Sequence, residues 1–209
     1  MEYAVLGWPE EGPQLRLDYR EFSYAGKFVM SNTGKAVVRD PDAEVSEDAE
    51  IGEATDPDSD PDPDPDLDRD WIADDRIVAA VAFNEDRTDP TTAWLRYVTV
   101  RRDRREAGLG ARLARFATAR LRERGYDRVR IAVNNPFAYH ALYKAGFGFT
   151  GEQTGIAELI LARPGERSPE RYRDGLDAYR EREGLASAER AFLSAKADSD
   201  PPDVVSVPE

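Results

Sequence analysis

From Ile77 onward the apolar positions fall into short runs that change period from one run to the next, and each change marks an element. Ile77–Phe83 is continuously apolar, which predicts a strand buried on both faces, paired as a hairpin with Trp71–Ala73 across an Ala-Asp-Asp-Arg turn. Ala93–Val100 predicts the next strand. Leu109, Leu113, Phe116, Ala117 and Leu121 form one stripe at helical spacing, so a helix is expected over Leu109–Arg124, with Gly125 as its C-cap. Val129, Ile131 and Val133 alternate with Arg130 and Ala132 as in a strand, and Asn135-Pro136 places a cap residue before a first-turn proline. That short helix runs to Ala145 and is closed by Gly146; Ala157–Ala162 predicts a last strand. Upstream, apolar residues between Leu17 and Val29 are spaced closer to 3.6 than to 2, which predicts one or two short helices. A hairpin of Phe28–Met30 with Ala36–Val38 around Ser31-Asn32-Thr33-Gly34 competes at its end.

The order strand, strand, helix, strand, helix, strand predicts an α/β (α+β) fold: a mixed central sheet with helices on both faces. Ser168-Pro169 opens a charged helix to about Glu183, and a second spans about Ala186–Lys196. The expected organisation is a domain over residues 1–163, interrupted by an insertion at 40–70, followed by a helical appendage and tail at 164–209.

Composition changes the picture mainly through that insertion. Residues 40–70 hold 15 Asp and Glu against one Arg, so the net charge of −13 reduces elsewhere to 27 acids against 28 bases. Alternating Pro and Asp can neither pair as strand nor bury apolar area, so an acidic, disordered loop is expected there. Nothing in this charge distribution favours a nucleic-acid partner. The chain has no cysteine and one histidine, which excludes thiolate metal sites and argues against any metal. The first ten residues lack a basic start and a long apolar run, and no stretch reaches the length of a membrane span. A cytoplasmic protein, monomer or homodimer, that makes no membrane contact is expected.

Candidate chemistry lies in the turn between Val100 and Leu109. Arg105, Gly108 and Gly110 link an apolar strand to an amphipathic helix. Glycines let main-chain N–H groups converge, and the positive end of the helix dipole adds to them, so Arg105, Glu106, Ala107, Gly108, Leu109, Gly110 and Ala111 form a candidate diphosphate cradle. A second cluster follows: a strand ending Val133-Asn134-Asn135, then Ala138-Tyr139-His140-Ala141-Leu142-Tyr143-Lys144-Ala145-Gly146-Phe147.

Together these clusters resemble the GNAT superfamily of N-acetyltransferases, whose motif is Gln/Arg-x-x-Gly-x-Gly/Ala after a strand, then strand, Asn and a helix ending Tyr-x-x-x-Gly-Phe. Arg105, Gly108, Gly110, Asn135, Gly146 and Phe147 match, and the resemblance covers about Arg76–Ala162. Tyr143 is the nearest tyrosine, although strict counting puts Leu142 at its position, and Arg102 replaces a common proline. The resemblance implies acetyl-CoA as co-substrate and an amine acceptor. It places Val98, Thr99 and Val100 along the pantetheine arm as an added strand, the cradle and Asn135 around the cofactor, and Tyr143 beside the sulfur as catalytic acid. Tyrosine, with a pKa near 10, would give up its proton to a thiolate of pKa near 8.5 only uphill, by roughly 2 kcal/mol. Glu85, Asp86 and Glu152 are candidate bases, His140 shares the face of Tyr143, and Trp94, Arg96 and Tyr97 are candidates for the acceptor side. Two other readings compete: a catalytically silent acyl-CoA-binding module, and a nucleotide-binding protein, which the missing Gly-Lys-Ser/Thr ending disfavours.

Overall fold

The computed structural model describes residues 1–43, 71–72 and 74–209. A seven-stranded mixed sheet runs in the order β1 (Glu2–Gly7), β3 (Gly34–Arg39), β5 (Ile77–Glu85), β6 (Thr92–Val100), β7 (Arg128–Val133), β9 (Leu159–Arg163), β8 (Gly148–Gln153). Short strands β2 (Gln14–Leu15) and β4 (Trp71–Ile72) pair separately and in parallel. The helices are α1 (Leu109–Glu123), α2 (Pro136–Lys144), α3 (Pro169–Arg180) and α4 (Ser187–Ala195). The acidic loop expected over 40–70 lies, from residue 44, outside the described residues. Its first residue is anchored to the sheet: Asp40 is 7% exposed, donates its N–H to the Arg76 carbonyl and pairs with Arg104 at 2.9 Å.

Two cores flank the sheet. One joins Val81, Phe83 and Leu95 to the stripe Leu109, Leu113, Phe116, Ala117, Leu121 and to Leu142, Tyr143, Tyr172, Leu176, Tyr179 and Leu193. All four helices therefore feed one face, and α3 and α4, expected as an appendage, bury their apolar stripes in the main core; the Tyr179 hydroxyl donates to the Val133 carbonyl at 2.9 Å. The opposite face carries no α-helix among the described residues. Leu15, Phe22, Ala25 and Phe28 cover Val37, Ala80 and Ala82 there.

That second face overturns the helix expected over Leu17–Val29. The segment is a series of turns: Asp18 binds the Arg20 N–H, Tyr24 adopts φ 62°, and only Ala25–Lys27 forms a 3-10 turn. Phe22, Ala25 and Phe28 share a face because successive turns return them to it every three residues, which imitates helical spacing. Lys35 then fastens the segment. Its side chain has no exposure, and Nζ donates to the carbonyls of Pro13, Met30 and Thr33 and to Thr33 Oγ1 at 2.6–2.8 Å.

Both expected hairpins are also replaced. Phe28–Met30 does not pair with β3, which lies between β1 and β5, and Trp71–Ile72 joins β2, not β5. Two strands that were not foreseen, β1 and β8, lie at the sheet edges. The last strand begins at Leu159 because Thr154–Ala157 forms a turn with Ala157 at φ 62°.

Candidate active site

β6 and β7 are parallel neighbours only at their start. Pairing runs from Thr92 opposite Arg128 to Leu95 opposite Ile131 and goes no further. On its other edge β6 stays paired with β5 as far as Val100, but with one residue too many: Leu95 faces Phe83 and Tyr97 faces Ala82, so Arg96 forms a bulge. A bulge raises local twist and bends the strand. From Arg96 to Val100, therefore, the β7-facing edge of β6 has no ladder partner among the described residues, and its main-chain groups border an open gap. Val98 and Val100 pack toward α1, whereas Thr99 lies against Ala80 on the other face. Thr99 is 4% exposed, and its hydroxyl has no partner among the described residues.

The chain leaves Val100 through a 3-10 turn, Arg102–Arg104, and enters α1 through the glycine loop. Glu106 (φ 69°) and Gly108 (φ 76°) both adopt left-handed conformations, and a side chain at Gly108 would meet nothing within 4 Å. Gly110 sits over Val100, with a notional Cβ 3.5 Å from Val100 Cγ2, so the helix starts directly beside the open strand edge. The first helical N–H groups, at Leu109, Gly110 and Ala111, have no acceptor one turn back, and the dipole of a 15-residue helix converges there. Residues Arg105 to Ala111 are thus brought together with Val98 to Val100. The open, unobstructed backbone fits a diphosphate, and the strand edge fits an extended amide-bearing arm.

The arginines divide into two pairs. Arg101 is held by Asp103 at 2.8 Å, and Arg104 by Asp40. Arg102 and Arg105 are exposed with no carboxylate partner among the described residues; Arg105 Nη2 donates to Ser23 Oγ at 3.0 Å. An open cleft of about 510 Å³ lies between this turn and the N-terminal segment, walled by Tyr19, Ser23, Tyr24, Lys27 and Arg102.

Asn135 and Tyr143 take other places. Asn135 caps α2, its Oδ1 accepting the Ala138 N–H at 2.8 Å. Tyr143 has no exposure, and its hydroxyl accepts the Phe149 N–H at 3.0 Å. Phe149 belongs to β8, beyond β7 and β9, so at about 4.8 Å per strand the hydroxyl lies on the order of 12 Å from the β6–β7 gap. This corrects the expectation of Tyr143 as the acid beside the sulfur: its one-residue offset turns it into the core, where burial also raises its pKa. Leu142, at the strict motif position, is apolar and buried. His140 Nδ1 lies 2.7 Å from the Tyr172 hydroxyl, and burial lowers its pKa to about 4.

Of the candidate bases, Asp86 accepts the Trp94 indole N–H and the N–H and hydroxyl of Thr88, which together hold its pKa far below the ordinary carboxylate range. Glu152 pairs with Arg130. Glu85 is exposed. No group of three or more metal-ligating side chains occurs among the described residues, and none of their helices is long and apolar enough to cross a membrane. Sequence reasoning missed the bulge at Arg96 and the N-terminal cover; the signal available for the first was the one charged residue interrupting Ala93–Val100.

The chain is similar to several known proteins. Among solved structures, a GNAT-family acetyltransferase from Desulfovibrio desulfuricans is 17% identical, with 44% of this chain matching 64% of that one at a TM-score of 0.38. The PaiA N-acetyltransferase of Thermoplasma acidophilum, solved with coenzyme A, is 19% identical over 44% and 55%, at 0.36. The ribosomal-protein-S18-alanine N-acetyltransferase of Escherichia coli is 20% identical over 44% and 63%, at 0.34. The chain thus spans less than two thirds of each of these proteins. A search of curated proteins gives no match. The family model described as "Acetyltransferase (GNAT) family" matches residues 13–149, from β2 to the start of β8, and the chain belongs to that family.

Proposed function

We propose that this protein transfers the acetyl group of acetyl-CoA to a primary amine of its acceptor by direct attack within a ternary complex. The observation that carries this reading is the open β6 edge past Leu95 lying beside a glycine loop at a helix N-terminus. Main-chain amides of Glu106–Ala111 would take the diphosphate, with Arg105 and Arg102 adding charge on the solvent side. Main-chain groups of Val98, Thr99 and Val100 would pair with the pantetheine arm as an added strand.

Acyl transfer then needs few side chains. The amine nitrogen attacks the thioester carbon, the N–C bond forms, a main-chain N–H of β6 steadies the oxyanion, and the C–S bond breaks with the electron pair leaving on sulfur. A thiolate with a pKa near 8.5 is a competent leaving group without a protein acid, which suits the core position of Tyr143. The ammonium proton passes to water.

A second reading, a silent acyl-CoA-binding module, is favoured by the engagement of Asp86 with Trp94 and by the burial of Tyr143. Calorimetric titration of acetyl-CoA, followed by CoA release against a panel of amines, separates the two. Binding with release supports transfer, binding without release across the panel selects the silent module, and preference for ATP over acetyl-CoA overturns both.

A further inference from the structure

The face of the sheet opposite the helices carries a guanidinium built to receive an anion at the mouth of the β6–β7 gap. Arg96 is the extra residue of the bulge, at the point where β6 leaves β7. Its neighbours Asn84 and Trp94 stand opposite one another in the ladder and alternate with Phe83, Ala93 and Leu95 of the helix-side core, so they face the other way. Arg96 Nε donates to Asn84 Oδ1 at 2.7 Å, and its guanidinium carbon lies 5.1 Å from the centre of the Trp94 ring. Trp94 is itself pinned by its indole N–H donation to Asp86.

The charges around it are already engaged. Asp86 is bonded to Trp94 and Thr88, and Arg130, whose guanidinium carbon lies 4.9 Å from the centre of the Trp94 ring, pairs with Glu152. At Arg96 the charges of Asp86 and of exposed Arg87 act in opposite senses, Asp86 the more strongly. Arg96 has no carboxylate within ion-pair distance among the described residues, and its two terminal nitrogens are left to an outside partner. Partial burial lowers its pKa, a desolvation cost that an arriving anion would offset. A planar fork fixed at Nε and stacked on an indole matches the two oxygens of a carboxylate.

We propose that the acceptor is an amine carrying a carboxylate, and that Arg96 receives this carboxylate while the amine reaches the thioester in the gap. The inference rests on the acetyl-transfer reading above and names its acceptor class. With Arg96 and Arg130 over Trp94, a polyamine acceptor would meet repulsion where the carboxylate would be held.

The test uses glycine, β-alanine, L-phenylalanine and L-glutamate, each beside its carboxamide. Each is titrated into the whole protein with and without coenzyme A, and CoA release from acetyl-CoA is read in parallel. At least one acid should bind about tenfold or more tightly than its carboxamide, the span expected for a charge-assisted hydrogen bond. In Arg96→Gln that preference should collapse, and in Arg96→Lys, which keeps charge but loses the fork, it should survive in part. Equal binding of every acid and its carboxamide, absence of binding by every acid, or a preference that persists in Arg96→Gln overturns the proposal. If Arg96→Gln fails to fold, the acid and carboxamide comparison on the unaltered protein decides alone. Failure of the acetyl-transfer reading is seen separately, as absent acetyl-CoA binding in a titration that contains no acceptor.

Discussion

The hydroxyl of Tyr143 accepts the main-chain N–H of Phe149 at 3.0 Å, tying the last turn of α2 to the edge strand β8 inside a cluster of four tyrosines. Tyr143→Phe leaves that buried N–H without its acceptor and should cost about 1–3 kcal/mol of stability. Acetyl-CoA affinity and the single-turnover rate, measured where the variant is folded, should stay within about twofold, since the hydroxyl is far from the gap. Denaturant unfolding and rapid-quench kinetics check the two halves; a tenfold slower chemical step would return the hydroxyl to the reaction.

Gly110 offers a variant that separates binding from folding. Its φ is not left-handed, and a Cβ there makes only an ordinary contact with Val100. Gly110→Asp puts a carboxylate in the first turn of α1, where the helix dipole favours it by about 0.3–1 kcal/mol, so stability should hold or rise. The same charge would face the diphosphate at a few ångströms, a repulsion of about 3–4 kcal/mol at an effective dielectric near 20. Acetyl-CoA affinity should therefore fall on the order of 100-fold. Calorimetry on a variant whose melting temperature is unchanged checks this.

The glycine loop, the helix after it and the capped helix at Asn135 were legible because each rests on contacts within a few residues: glycine φ values, an apolar stripe, an Asn-Pro cap. What stayed hidden depends on remote contacts. Phe22, Ala25 and Phe28 carry helical spacing, yet the pin that makes turns of them is Lys35, whose acceptors at Pro13, Met30 and Thr33 cannot be paired from sequence. β8 carries two glycines and a polar end, Gly148 to Gln153, and is a strand only because β9 lies beside it. Tyr143 shows how little separates the readings, for a shift of one residue along a helix turns a side chain by about 100°.

Lys35 makes the stability of this half of the sheet depend on pH. Burial lowers its pKa from 10.5 to about 8, against the ordinary value in the unfolded chain. Below pH 8 both states hold the proton and the burial penalty is present in full. Between about 8 and 10.5 the unfolded state binds more protons, so stability rises with pH, by at most about 1.4 kcal/mol per unit. Buried tyrosines oppose this near pH 10, where the unfolded chain ionises first. Urea unfolding of the wild type against Lys35→Met between pH 7.5 and 9.5 isolates the lysine: the gap should move in favour of the wild type as pH rises, and a flat difference would mean that the carbonyl cage restores the ordinary pKa.

Arg105 belongs to the loop by charge alone. It is exposed, and its one side-chain bond reaches Ser23 across 82 positions of sequence. Arg105→Gln should change stability by no more than about 0.5 kcal/mol, as befits a surface residue with a single neutral partner. Acetyl-CoA affinity should fall, and the fall should depend on salt: at a Debye length of about 10 Å in 0.1 M salt the guanidinium still feels a diphosphate in the cradle, whereas at about 3 Å in 1 M it does not. Affinities of the wild type and variant, measured from 0.05 to 1 M salt, should therefore converge. Parallel curves would place the diphosphate out of reach of Arg105, and with it the loop from which the whole site is argued.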